Sequence, residues 1–87
     1  MVGAAVRIVW DEVKRRENLR KHRMDFALLT HEWFLRASIQ PAKLGRWMAT
    51  GEIGGAVVVA VVFRPLGSEA ISVISMRPAS REERRRT

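Results

Sequence analysis

The sequence contains no cysteine. Disulfide scaffolds, thiolate metal sites and cysteine nucleophiles are thereby excluded, and the absence suits a reducing cytoplasm. Histidine is scarce: His22 and His31 are the only two. No HExxH pattern or cluster of carboxylates accompanies them, so neither a metal nor a cofactor is expected. Long apolar runs are missing as well. The longest, residues 56–63, falls far short of the roughly 20 residues of a membrane helix. No basic stretch followed by a secretory apolar core opens the chain. A soluble cytoplasmic protein without a membrane partner is the expectation. Gly51, Gly54 and Gly55 stand in a hairpin context and lack the GxxxxGK[ST] pattern of a phosphate loop. Serine triads find no support either, which leaves phosphate chemistry run by cationic side chains.

Cations are what the sequence has in excess. Sixteen Lys and Arg against nine Asp and Glu give a net charge of +7 over 87 residues. Such a balance favours nucleic acid, an anionic surface or an acidic partner. The excess sits at the ends: residues 1–40 carry eight basic and five acidic groups, residues 41–76 three and two, residues 77–87 five and two. The length suits a single domain, residues 1–87, with a thin margin of stability.

The order of elements follows from periodicity and punctuation. Arg7 to Trp10 alternate weakly and predict a short edge strand. Asp11 then N-caps a mostly solvent-facing helix over residues 11–22, with acid-first pairs Asp11–Arg15, Glu12–Arg16 and Glu17–Lys21. Asp25 predicts a second N-cap, with Met24 and Leu29 as a hydrophobic staple and Phe26, Leu29 and Trp33 on one buried face. Residues 37–45 read as a connector. Strands are predicted over residues 46–50, 57–63 and 70–76, separated by Gly51, Gly54 and Gly55 and then by Pro65 and Gly67. Ser80 with Glu83 forms a capping box for a short basic tail helix. The fold class is therefore α+β: N-terminal helices on a three- to four-stranded antiparallel sheet, closed by a short C-terminal helix.

Lys14, Asn18 and Lys21 recur at helical spacing and share a face, with His22 at its border. Two ammonium groups, an amide and an imidazole suit a phosphate and its neighbouring hydroxyls; a plain solvated face has the same spacing. On the last strand, Ile71, Val73, Ser75 and Arg77 are expected on one face, opposite Ser72, Ile74 and Met76. Arg64 and Arg77 lie roughly 23 Å apart at strand rise and so do not grip one phosphate. Arg77, which leads into Arg81 and Arg84, is the better phosphate candidate, with simple capping of the strand as the alternative.

Three blocks of residues carry a family resemblance. Trp10, Asp11, Glu12, Lys14, Asn18, Lys21 and His22, followed by Asp25 and Phe26, resemble the N-terminal signature of BrnT-type toxins. Arg46 to Gly51 is similar to that family's Arg-x-x-x-x-Gly strand. Ile74 to Arg84 resembles its I-S-x-R-x-A-[ST]-x-x-E-R block. The resemblance implies a RelE-like fold and an endoribonuclease toxin of a bacterial type II toxin–antitoxin system, which cuts RNA to arrest growth. It also implies a BrnA-type DNA-binding antitoxin, with operator DNA met only through the complex. Carried to positions, it gives Lys14, Lys21 and His22 on the first helix, Arg46 on the first sheet strand, and Arg77 and Arg84 at the end. Lys21, His22 and Arg77 are the expected catalytic residues; Lys14, Arg46, Arg81 and Arg84 are the expected phosphate contacts. Two departures stand out. Arg23 occupies the position of a common glycine after the Lys-His pair, and the turn at Gly54, Gly55 and Ala56 carries no basic residue. A non-catalytic nucleic-acid-binding module, or a degenerate toxin that only binds its antitoxin, has the same composition.

Overall fold

The computed structural model of the chain describes residues 6–86. In chain order its elements are β1 (Arg7–Trp10), α1 (Glu12–His22), a 3-10 turn (Phe26–Leu28), α2 (His31–Arg36), β2 (Ser38–Pro41), β3 (Trp47–Ile53), β4 (Val57–Leu66), β5 (Ala70–Pro78) and α3 (Arg81–Arg84). The strands form one five-stranded sheet in the order β1-β5-β4-β3-β2. Strands β2 to β5 make an antiparallel meander, and β1 runs parallel to β5 along its outer edge. The expected sheet of three or four antiparallel strands is thus too small and lacks a parallel pair. Residues 37–45, expected as a connector, contain the edge strand β2. It is four residues long and ends at Pro41, which an edge tolerates.

The sheet's first face carries the core. Val59, Val61 and Phe63 of β4 point to it with Ala49 of β3, and Phe26, Leu29, Trp33 and Phe34 cover them. Aromatic edges lock the layer: Phe34 meets Phe63 at 5.3 Å between ring centroids, and Trp10 meets Phe26 at 6.2 Å. The Phe26–Trp33 segment does not form the single helix expected. Leu29 and Thr30 are extended, and Thr30 starts α2 afresh by accepting the Trp33 N–H at its hydroxyl. The break still leaves Phe26, Leu29 and Trp33 all buried.

Strand β5 contains a bulge. Val62 pairs with Ser75 and Phe63 with Val73, so Ile74 is an extra residue. Val73 and Met76, each 1% exposed, therefore both face the core. Ser75 and Arg77 turn to the second face, with Ser72, which corrects the simple alternation expected from the sequence.

Helix α1 forms as predicted: Asp11 caps it by accepting the Val13 N–H, and only Asn18 is buried within it. Of the three expected ion pairs, Glu12–Arg16 forms and the two others do not. Glu12 meets Arg15 at 2.6 Å and Arg16 at 3.4 Å, and Arg15 also reaches Asp25 at 3.1 Å, tying the helix to the next cap. Asp11–Arg15 and Glu17–Lys21 form no ion pair.

Both edge strands are shorter than their neighbours, and a side chain finishes each edge. Where β1 stops, the Asn18 amide donates to the Met76 carbonyl at 2.8 Å and accepts the Met76 N–H at 3.1 Å. Where β2 stops, the Trp33 indole N–H donates to the Glu52 carbonyl at 2.9 Å.

Helix α3 crosses the second face. Its capping box is complete: the Ser80 hydroxyl accepts the Glu83 N–H, and the Glu83 carboxylate accepts the Ser80 N–H. Arg77 of β5 pairs with Glu83 at one end, and Arg86 reaches Gln40 of β2 at the other. Beneath it the small side chains of Ala60 (0% exposed) and Thr50 (2%) leave the room it needs.

Candidate functional site

An open cleft of about 460 Å³ runs between α1 and the second face of the sheet. Lys14, Lys21 and His22 of α1 line one wall, and Arg46 faces them from the turn before β3. Four residues predicted from distant positions are thereby brought together. Each has a local reason to be where it is. Lys14 and Lys21 share the helix face of Asn18, whose amide clamps that face to Met76. Arg46 lies just outside β3 rather than on it, as the sequence had suggested. Its carbonyl accepts the Ala42 N–H at 2.8 Å, and its N–H meets the Lys43 carbonyl at 3.2 Å, closing the turn through left-handed Leu44 and Gly45.

Arg46 is also chemically conspicuous. Its Nε is buried and has no hydrogen-bond partner in the protein. That N–H is sealed from solvent without an acceptor, which is costly, while the side chain as a whole lines the cleft, where an anion is the complementary group. Asn18, by contrast, is spent on backbone: besides Met76 it donates to the Met24 carbonyl at 3.0 Å. It is not available for the hydroxyl-binding role its spacing had suggested. His31 is likewise engaged, its Nδ1 accepting the Val6 N–H at 3.0 Å.

Arg77, Arg81 and Arg84 do not line this cleft. Arg77 stands on the same face of the sheet, one side-chain repeat beyond the cleft residue Ser75, or roughly 7 Å at strand rise. Its guanidinium is held by both oxygens of Glu83 at 2.8 Å each and by the Pro78 carbonyl at 3.2 Å. The hydrogen bond with Glu83 raises the Arg77 pKa. The same bond lowers Glu83 from 4.5 to about 2, against a smaller opposing effect of burial. Arg81 and Arg84 belong to α3. Glu17, Arg20, Ile74 and Ser75 also line the cleft and were not anticipated. Simple alternation puts Ser75 on one face with Val73, and only the bulge at Ile74 separates the two and aims Ser75 here. Among the described residues no group of three His, Asp or Glu is placed to hold a metal ion. No helix of the described residues is long and apolar enough to cross a membrane.

Fold and cleft define a small, strongly basic α+β protein with a concave surface suited to a polyanion. Residues 10–83 match the family described as ribonuclease toxin, BrnT, of type II toxin–antitoxin system. Among solved structures, the 1.1 Å crystal structure of the Brucella abortus ribonuclease toxin BrnT is 54% identical and superposes with a TM-score of 0.82, over 87% of this chain and 99% of that one. No curated protein matches the chain. The chain belongs to the BrnT family of ribonuclease toxins of type II toxin–antitoxin systems.

Proposed function

We propose that this chain works as a single toxin domain that cleaves RNA in the bacterial cytoplasm without a metal ion. On this reading it is an endoribonuclease of RelE-like type. Family membership implies an RNA target and an antitoxin partner. We assign the partner to the BrnA type, which binds operator DNA and brings the toxin there only as a complex. The observation that carries the reading is the convergence of Lys14, Lys21, His22 and Arg46 on one cleft, Arg46 bearing an Nε without a protein acceptor.

In the proposed reaction the RNA 2′-oxygen attacks the adjacent phosphorus. The 2′-O–P bond forms, the P–O5′ bond breaks, and a 2′,3′-cyclic phosphate is left. Lys21 and Arg46 stabilise the charge that builds on the phosphate oxygens. His22 takes the proton of the 2′-hydroxyl as that oxygen attacks, acting as general base, and the departing O5′ takes a proton from water. Lys14 holds the backbone of a neighbouring nucleotide. Arg77 adds charge beside Ser75 when a phosphate competes with Glu83 for its guanidinium, and Arg81 and Arg84 extend the positive field.

Inducible expression in bacteria tests this directly. Wild type is expected to arrest growth with loss of RNA integrity. Arg46→Ala and Arg77→Ala, expressed as soluble protein, are expected to lose cleavage by about 10²-fold or more. His22→Ala with unchanged cleavage would remove the proton-transfer role from that residue. RNA affinity that responds to Lys21→Ala, with no cleavage by wild type, would identify a binding module. Antitoxin binding with neither RNA binding nor cleavage would identify a degenerate toxin.

A further inference from the structure

A second cleft, larger than the first at about 690 Å³, opens at the far end of the second face. It exists because β3 outlasts β2. Their pairing ends at Ser38 and Thr50, which leaves residues 51–53 of β3 without a strand on that side. Arg36 at the end of α2 and Arg86 beyond α3 line the gap, with Ser38 and Thr50 beside them. Neither arginine makes an ion pair within the described residues. The Arg86 guanidinium donates to the neutral Gln40 amide oxygen at 2.6 Å. Glu52 is the single carboxylate in the lining, so cations outnumber it two to one.

The two clefts share the second face. Ser75 lines the first and lies on β5; Ser38 lines the second and lies on β2, three strand spacings away, or roughly 14 Å. Helix α3 fills the interval, with Arg81 and Arg85 exposed on it. A single strand leaving the first cleft therefore crosses α3, where the exposed Arg81 and Arg85 flank the acidic Glu82 and Glu83, before it meets the second. Guanidinium groups beside hydroxyls form a phosphate-binding set. A docking groove for a protein segment wants apolar anchors; the large aromatic in this lining, Trp33, is 5% exposed and its indole N–H is already held by the Glu52 carbonyl.

We propose that the cleft of Arg36 and Arg86 is a subsite for the phosphodiester backbone of RNA flanking the bond to be cut. The proposal rests on the ribonuclease reading and adds a length requirement to it: RNA long enough to span both clefts binds more tightly than RNA that fills only the first.

Fluorescence anisotropy with an uncleavable 2′-O-methyl RNA of twelve nucleotides, and competition by the trinucleotide from its centre, tests this. The double variant Arg36→Ala/Arg86→Ala is expected to bind the twelve-nucleotide RNA about tenfold more weakly at moderate salt. Each lost phosphate contact should lower the slope of log K against log salt by ~0.7, so by ~1.4 for the pair. Trinucleotide binding should stay unchanged. Arg36→Ala alone, which leaves the Arg86–Gln40 contact in place, should show half the slope change. Equal weakening for both RNAs, or none for either, would overturn the subsite. So would lost antitoxin affinity with RNA affinity intact, which would make the cleft a protein-docking site. Wild type that binds neither RNA would instead overturn the ribonuclease reading itself.

Discussion

Arg23 ends α1 in the left-handed conformation, φ 59° and ψ 31°, with its N–H donating to the Leu19 carbonyl. That region costs an ordinary side chain about 1–2 kcal/mol, while glycine enters it freely and loses about 0.5–1 kcal/mol more entropy on folding. Arg23→Gly is therefore expected to stabilise the protein by about 0.5–1 kcal/mol, raising Tm by roughly 2–8 °C. A thermal melt with unchanged or lower Tm would contradict the strain. The opposite sign is expected at Asn18. Truncation to alanine leaves the Met76 N–H and two carbonyls without their partner at a buried edge, at about 2–4 kcal/mol in total; urea unfolding midpoints would measure it. These two residues also mark how far single positions could be read. The left-handed cap at Arg23 was legible, because the family's glycine stands at that position. At Asn18 the spacing with Lys14 and Lys21 left a ligand-gripping face and a plain solvated face both open, and neither is its role, because nothing local says that its amide is consumed by a strand 58 residues away.

Elements were legible where local chemistry decides them. The caps at Asp11, Asp25 and Ser80 and the course of α1 and α3 follow from nearby residues, whereas β3 runs through Gly51 to Ile53 and β4 through Pro65 to Leu66, positions expected to mark turns. Three features depend on the rest of the molecule instead. The pairing of β1 with β5 joins Arg7 to Ala70. Strand β2 has only four residues and needs β3 to exist. The bulge at Ile74 is visible only once Val62 and Phe63 have chosen partners, yet it sends Ser75 and Arg77 to the cleft face rather than the core. Helix α3 makes a prediction at this scale, because one carboxylate both caps it and ties it to β5. Glu83 has its pKa lowered to about 2 from 4.5 in the folded state. The unfolded chain thus binds the proton first as pH falls. Stability from this group is complete above about 4.5 and is lost progressively toward about 2. Glu83→Gln should flatten stability against pH in that window and lower it at neutral pH. An unchanged acid limb in denaturant titrations would show that the pair contributes nothing to holding α3.

At the scale of the whole molecule the charge and the small core belong to one argument. A chain of 87 residues with a net charge of +7 carries its own repulsion on a modest apolar interior. Most of that charge has no acidic counterpart in the protein: among the described residues the acidic partners of ion pairs are Glu12, Asp25 and Glu83. The α1 cleft and the cleft of Arg36 and Arg86 are among the places where cations have no such partner, and both are surfaces proposed to meet RNA. An antitoxin that neutralises the protein by occupying them must screen the same repulsion and supply the acceptor that Arg46 lacks. Its binding should therefore appear as folding stability. At a free concentration of one hundred times Kd, mass action alone adds about 2.7 kcal/mol, or about 10–20 °C in Tm for a protein of this size. The rise should shrink in the Arg46→Ala variant if the antitoxin reaches into the α1 cleft. It should persist undiminished if inhibition works from a remote surface. Thermal melts of wild type and variant, with and without saturating antitoxin, separate the two, and equal Tm values with and without partner would remove the coupling between neutralisation and stability.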